Sequence, residues 1–156
     1  MNVFISYSTS DLNIVRMLAE HLKYFVDNVY YWNKNQQPGQ DAWSSIYNWI
    51  ERSDIVIAVV TDKTVSRAMS VGNEIGYAKK AAKTIIPLVS HKVKETDLGC
   101  LKGVTYIRID QRDMNPALNT IKRYISSLKA KQKDDLQKAL FIIGGIVLFM
   151  FLISKK

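Results

Sequence analysis

The chain has 156 residues, 47% hydrophobic and 23% charged, with a formal net charge of +8. That suffices for one folded domain with a sizeable core, and three prolines and seven glycines leave no room for a long disordered linker. A single cysteine, Cys100, excludes an internal disulfide and a multi-cysteine metal site, and the isolated His21 and His91 do not suggest a zinc centre.

Half of the net charge is local. From Lys129 onward six lysines face Asp134 and Asp135, a net of +4. This tail has no aromatics interleaved along a basic strip, so it points to an anionic neighbour and no nucleic-acid partner is expected. Met1 is followed at once by a strand-like run, with no basic n-region and apolar core of a signal peptide.

In chain order, Asn2 to Ser6 (NVFIS) predicts a buried strand. Ser8, Thr9 and Ser10 offer helix N-caps, with Asp11 in the first turn, and Leu12, Val15, Leu18, Ala19 and Leu22 give a helical stripe to about Phe25. Asn28 to Trp32 predicts the second strand. Asn33 to Gln40 reads as a loop around the turn signal Pro38-Gly39. Asp41 caps a helix with Trp43, Ile46, Tyr47 and Ile50 inward. Asp54 to Val60 is a continuous apolar run, as expected of a central parallel strand.

Ser66 to Ala82 follows as a helix. Ala68, Val71, Ile75, Ala78 and Ala82 form its apolar stripe, and Glu74 sits on the rim, where the fold would hold a carboxylate that still faces a cleft. Thr84 to Val89 predicts a strand, with Pro87 placing it near an edge or bulge. His91 to Cys100 is a charged connector with room for one helical turn. Val104 to Ile109 alternates like an edge strand, and Asn115 to Lys129 closes the domain as a helix with Pro116 in its first turn.

Strands alternating with helices imply right-handed crossovers. The fold class is α/β, a flavodoxin-like three-layer sandwich with a five-stranded parallel sheet over residues 1–128. After a basic linker, 129–138, Ala139 to Ile153 carries no charged or strongly polar residue. As a helix these residues span about 22 Å, short of the ~30 Å hydrocarbon core, but Leu136 and Ser154 lengthen the run and Lys138, Lys155 and Lys156 can snorkel outward. Residues 139–154 are expected to be a single transmembrane helix. More cations precede it than follow it, so the domain is expected on the cytoplasmic side of the bilayer.

Several chemistries are excluded by missing motifs. No GxGxxG follows a strand and no GxxxxGK[ST] occurs. A phosphoacceptor site would need an acidic pair after the first strand, where Ser6, Tyr7 and Ser8 stand. No nucleophile elbow or Ser/His/Asp set can be assembled. What remains are positions at the carboxyl ends of parallel strands, which line the ligand crevice of open α/β sheets: Ser6 to Ser8, the Asn33 to Gln40 loop, Thr61 to Lys63 and the helix bearing Glu74.

Four of these stretches resemble Toll/interleukin-1 receptor (TIR) domains. FISYSTSD at Phe4 to Asp11 resembles their first box, the Gln37-Pro38-Gly39 loop their BB loop, and Ser53 to Arg67 their third strand and its continuation. Ser70-Val71 through Glu74, Ile75 and Ala78 resembles the box that holds the glutamate of NAD-cleaving members. The resemblance implies cleavage of the nicotinamide–ribose bond, with NAD as substrate and no cofactor. Nicotinamide leaves as an already cationic group, so an ionised carboxylate near an oxocarbenium-like centre is the one group the chemistry needs, and Glu74 takes that role. The products are ADP-ribose or a cyclic ADP-ribose.

By the same resemblance Phe4, Ser6 and Ser8 border the nicotinamide, while Lys34, Gln37, Pro38 and Gly39 form a flap. Ser70 stands where some members carry an aromatic, and no acidic residue precedes Pro38. Trp32 and Trp43 could stack on a ring or pack in the core, Tyr77 could do the same, and Ser8 could be a plain N-cap. Bacterial relatives imply anti-phage defence. The rival readings are a non-catalytic adaptor that self-associates through its TIR domain, and an effector that disrupts the bilayer.

Overall fold

A computed structural model describes residues 1–35, 39, 41–65 and 68–153, with the side chains at 35, 65, 68 and 139–153 outside that description. The chain divides into two compact units, Met1–Lys122 and Arg123–Lys156.

In the first unit, β1 (Asn2–Ser6), β2 (Asn28–Tyr30), β3 (Ile55–Val60), β4 (Thr84–Ser90) and β5 (Ile107–Ile109) form one sheet in the order β2-β1-β3-β4-β5. All four pairings are parallel. The helices are α1 (Leu12–Leu22), α2 (Trp32–Asn35), α3 (Ala42–Arg52), α4 (Asp62–Val65), α5 (Ala68–Lys80) and α6 (Asn115–Ile153). From β1 the chain steps one way to β2, and from β3 it steps the other way to β4 and β5. Right-handed crossovers therefore send α1 to one face and α3 and α5 to the other. The order reverses between β1 and β3, and the crevice of such a sheet opens at the carboxyl ends of those two strands.

Alternation along the strands supplies both faces. Phe4, Val56, Ala58, Val60 and Val89 pack on Ile46 and Ile50 of α3 and on Val71, Ile75 and Ala78 of α5. β3 is buried along its whole length, which is why its sequence is a continuous apolar run.

Several boundaries differ from the sequence expectation. β2 stops at Tyr30, because Trp32 opens the short helix α2 within what was expected to be strand and loop. The helix expected over Ser66 to Ala82 is α5, Ala68–Lys80. Ala82 is exposed with φ 51° and so leaves the apolar stripe. The amides of Ala82 and Lys83 donate to the carbonyls of Lys79 and Ala78, both at 3.0 Å, the paired bonds of a Schellman end. Pro87 is not on an edge strand: β4 lies between β3 and β5. Pro87 sits opposite Ala58 of β3, and the β5 ladder begins only at Leu88, so the missing N–H falls where that ladder has not started.

Asp41 caps α3 as expected, its carboxylate accepting from the Ser44 amide at 2.7 Å. Asp11 does not cap α1. It is 2% exposed, and its Oδ2 accepts from the Thr61 hydroxyl at 2.8 Å and lies 3.1 Å from that of Thr64.

In the second unit the stretch 129–138, expected as a linker, is helical and carries an exposed Asp134–Lys138 ion pair of 2.6 Å. Among the described residues no helix is long and apolar enough to cross a membrane. The side chains of the expected span, 139–154, lie outside the described residues.

Candidate functional site

α5 turns one flank toward the carboxyl end of β1. The cleft between them has a volume of about 360 Å³ and is lined by Phe4, Tyr7, Ser8, Trp32, Trp43, Ser70 and Glu74, among others. Val71, Ile75 and Ala78 bury the stripe of α5 and so fix the rotation of the helix, which leaves Glu74 at the cleft floor, 8% exposed. Burial pushes its carboxyl up to about 7, and the nearby Ser6 hydroxyl pulls weakly the other way. That hydroxyl is itself buried and makes no hydrogen bond of ordinary length. Among the described residues no cation forms an ion pair with Glu74.

The walls are aromatic. Trp43, 37% exposed, leans on Tyr47 with ring centroids 5.8 Å apart, and Tyr47 stacks on Tyr77 at 4.2 Å and 18°. Tyr77 donates to Glu51 and so serves the packing of α5 on α3. Trp32 lines the cleft while resting against Trp49 at 6.1 Å. Both tryptophans thus combine packing with lining the cleft. The Tyr7 hydroxyl accepts from the Asn33 amide at 3.2 Å, which ties the end of β1 to α2. Its pKa is raised, first by burial, against the lowering effect of that amide.

Of the residues singled out from sequence, Phe4, Ser8, Ser70 and Glu74 line this cleft, and Ser6 lies buried beneath it. Ser8 makes no side-chain cap bond. Lys34 lies elsewhere. It lines a separate polar cleft with Glu20, Lys23 and Asp27 beside β2. In a helical turn Lys34 is about 200° from Trp32, so only one of the two faces the Glu74 cleft. Gly39 is exposed in a turn with φ 82° and does not line the cleft. Gln37 and Pro38 lie outside the described residues.

Tyr7 lines the cleft as part of the Ser6 to Ser8 stretch expected there, whereas Thr9, Ala42 and Ile46 line it without having been singled out. For Tyr7 the signal was present, since it follows β1 directly; for Ala42 and Ile46 only the packing of α3 over the sheet reveals it. On the other flank of α5 a smaller cavity of about 190 Å³ is lined by Val71, Gly72, Ile75, Leu98 and Cys100 with their neighbours.

A doubly wound parallel sheet whose crossover helix lowers a buried carboxylate into the crevice at the point of strand reversal defines the class of protein: an α/β domain with a ligand-sized cleft at the carboxyl ends of its strands. The sequence profile of the family described as TIR domain matches residues 3–123. The chain belongs to the TIR domain family.

Solved structures agree in fold. The chain is similar to the TIR domain of the Toll-related receptor TRR-2 from Hydra magnipapillata, with a TM-score of 0.64 and 20% identity over 80% of this chain and 97% of that one. It is also similar to the CMP N-glycosidase BcmB of Clostridium botulinum, with a TM-score of 0.58 and 22% identity over 80% and 99%. The TIR domains of the activated Roq1 resistosome give a TM-score of 0.54 at 18% identity over 65% and 64%. No curated protein sequence matches the chain.

Proposed function

We propose that the protein cleaves the nicotinamide–ribose bond of NAD, giving nicotinamide and either ADP-ribose or a cyclic ADP-ribose. The observation that carries this reading is Glu74, a carboxylate buried at the floor of an aromatic-walled cleft at the strand-reversal point. The C1′–N bond breaks with its electron pair going to nicotinamide, which leaves neutral. The ribosyl cation that remains is stabilised by ionised Glu74 in a site of low dielectric. Water, or the adenine of the same molecule, then adds to C1′ and releases a proton in the first case. Trp32 and Trp43 present ring faces suited to stacking on the pyridinium. A carboxyl poised at about 7 is half ionised at neutral pH, and a cationic ring arriving beside it favours the charged form.

The names of the structural neighbours, a CMP N-glycosidase among them, support glycosyl chemistry on this fold. The Roq1 resistosome supports activity in a self-associated state. It also favours the second reading, an adaptor that assembles without catalysis. On sequence grounds the same proposal takes 1–128 as the catalytic domain, 139–154 as a single membrane span in the bilayer and the cytoplasmic face as its site. A role in antiviral defence or signalling goes with it.

The test is purified full-length chain incubated with NAD, alone and under crowding, with chromatographic identification of products. Nicotinamide release that stops in Glu74→Gln supports the enzyme. No NAD loss under any clustering condition sinks it in favour of the adaptor.

A further inference from the structure

Ser6 has a feature that substrate contact does not explain. It is the last residue of β1, wholly buried, with its backbone held opposite Ala58 of β3. Its hydroxyl has no hydrogen-bond partner of ordinary length, although an unsatisfied buried hydroxyl is costly. The ladder fixes the backbone, so rotation about χ1 among three staggered positions is the freedom left to it.

By strand alternation Ser6 shares a face of β1 with Phe4, which packs on α5, and with Ser8, which lines the cleft beside Glu74, so the Glu74 carboxylate is the acceptor on the side to which this hydroxyl turns. We propose, building on the NAD-cleaving reading, that Ser6 is a positioning residue that sets the ionisation of Glu74 by donating its hydroxyl to the carboxylate. When Glu74 is neutral it needs no donor, and Ser6 stays unpartnered. When Glu74 is charged, it draws in a donor that is dry and prepositioned. Ser8 and Ser70 line the same cleft, but Ser70 is exposed to solvent and so is not a dry, prepositioned donor.

Among the described residues no ion pair reaches Glu74. Of the elements packed on α5, β1, β3 and β4 carry no titratable side chain. The residue after β1, Tyr7, is the titratable neighbour in the cleft, and its ionisation lies far above that of Glu74. α3 brings Tyr47, stacked on Tyr77, Glu51, which accepts from Tyr77, and Arg52, and the turn after β4 brings Glu95; Glu51, Arg52 and Glu95 are exposed. α4 brings Asp62 and Lys63, both exposed. The turn Glu95–Leu101 brings Asp97 and Cys100, which line the cavity on the opposite flank of α5.

Two readouts on the full chain test this. The side-chain carboxyl of Glu74, followed by ¹³C NMR, titrates in Ser6→Ala about one pH unit higher than in the parent and returns toward the parent value in Ser6→Thr. In kcat/KM on NAD, Ser6→Ala loses about tenfold at pH 6 and nothing at pH 9. A folded Ser6→Ala whose Glu74 titrates unchanged overturns the proposal, as does an activity loss equal at every pH, which marks a merely structural role. Should the parent cleave no NAD, the NMR titration still decides the coupling, so failure of the function and failure of this inference are told apart.

Discussion

Two carboxylates are buried near the carboxyl ends of the same sheet, and their surroundings differ. Asp11 reaches across to the end of β3, where its Oδ2 meets the hydroxyls of Thr61 and Thr64. Thr64 has one hydrogen to share between Asp11 and the Val59 carbonyl at 3.2 Å. The carboxylate thereby joins the turn after β1 to the turn after β3. Glu74 opens onto a cleft, with the Ser6 hydroxyl as its one polar neighbour of influence among the described residues. A carboxylate held through one oxygen by its own fold ties structure together, even though the Oδ1 of Asp11 has no partner. One that opens onto a cavity of ligand size keeps its electrostatic capacity for whatever enters.

The sharpest way to break this contrast is to neutralise each group with its amide. Glu74→Gln is expected to lower kcat on NAD by about a thousandfold. Asp11→Asn keeps an acceptor for both threonines and loses less than tenfold in the same assay. Equal losses would erase the distinction.

Stability reads the contrast with opposite sign. The carboxyl of Glu74 lies at about 7 in the fold against 4.5 in the open chain. The fold therefore holds a proton more tightly than the unfolded chain between those values. The stability this contributes is fully present below about pH 4.5 and is lost as pH rises through about 7. The interval corresponds to roughly 3 kcal/mol. Glu74→Gln should approach that gain over the parent at pH 8 and show none at pH 4, measured by urea unfolding. Asp11→Ala should instead lose about 2 kcal/mol by the same measurement, because it strands the buried Thr61 hydroxyl and leaves Thr64 only the Val59 carbonyl. A stabilised Asp11→Ala would overturn its structural role.

The parent kcat/KM should fall about tenfold per pH unit below an apparent pKa near 7, the free-enzyme value of Glu74. A flat profile between pH 5 and 8 would remove Glu74 as the group that must be ionised. The smallest effect is a control on α5 itself. Ala82 closes that helix at φ 51°, a conformation glycine adopts without strain. Ala82→Gly should add about 1 kcal/mol of stability and leave the pH profile where it was.

Much of this was legible in the chain. The continuous β-branched run of β3, the threes and fours of α5 and the Asp41 cap are local patterns, and local patterns need only backbone geometry to be read. Glu74 was legible as a candidate because the stripe on either side of it sets its angle on the helix. Lys34 was misplaced because a four-residue helix, too short to leave a periodic signal, turned it away from the cleft. Pro87 was misread because the extent of β5, two elements later, determines whether its missing N–H matters.

By itself, then, the sequence determined the α/β class, the order of the elements and two stretches that meet in the cleft, the end of β1 and the helix bearing Glu74. Periodicity and motif spacing are properties of neighbours in the chain. Only the tertiary structure decided that one oxygen of Asp11 meets two threonine hydroxyls while Glu74 opens onto a cleft. That depends on Thr61 and Thr64, fifty residues beyond Asp11, meeting one carboxylate, and on α3 and the end of β1 closing an apolar wall around the other. Burial is a sum over distant parts of the chain, and it is burial that gives Glu74 its raised pKa and Ser6 its unpartnered hydroxyl.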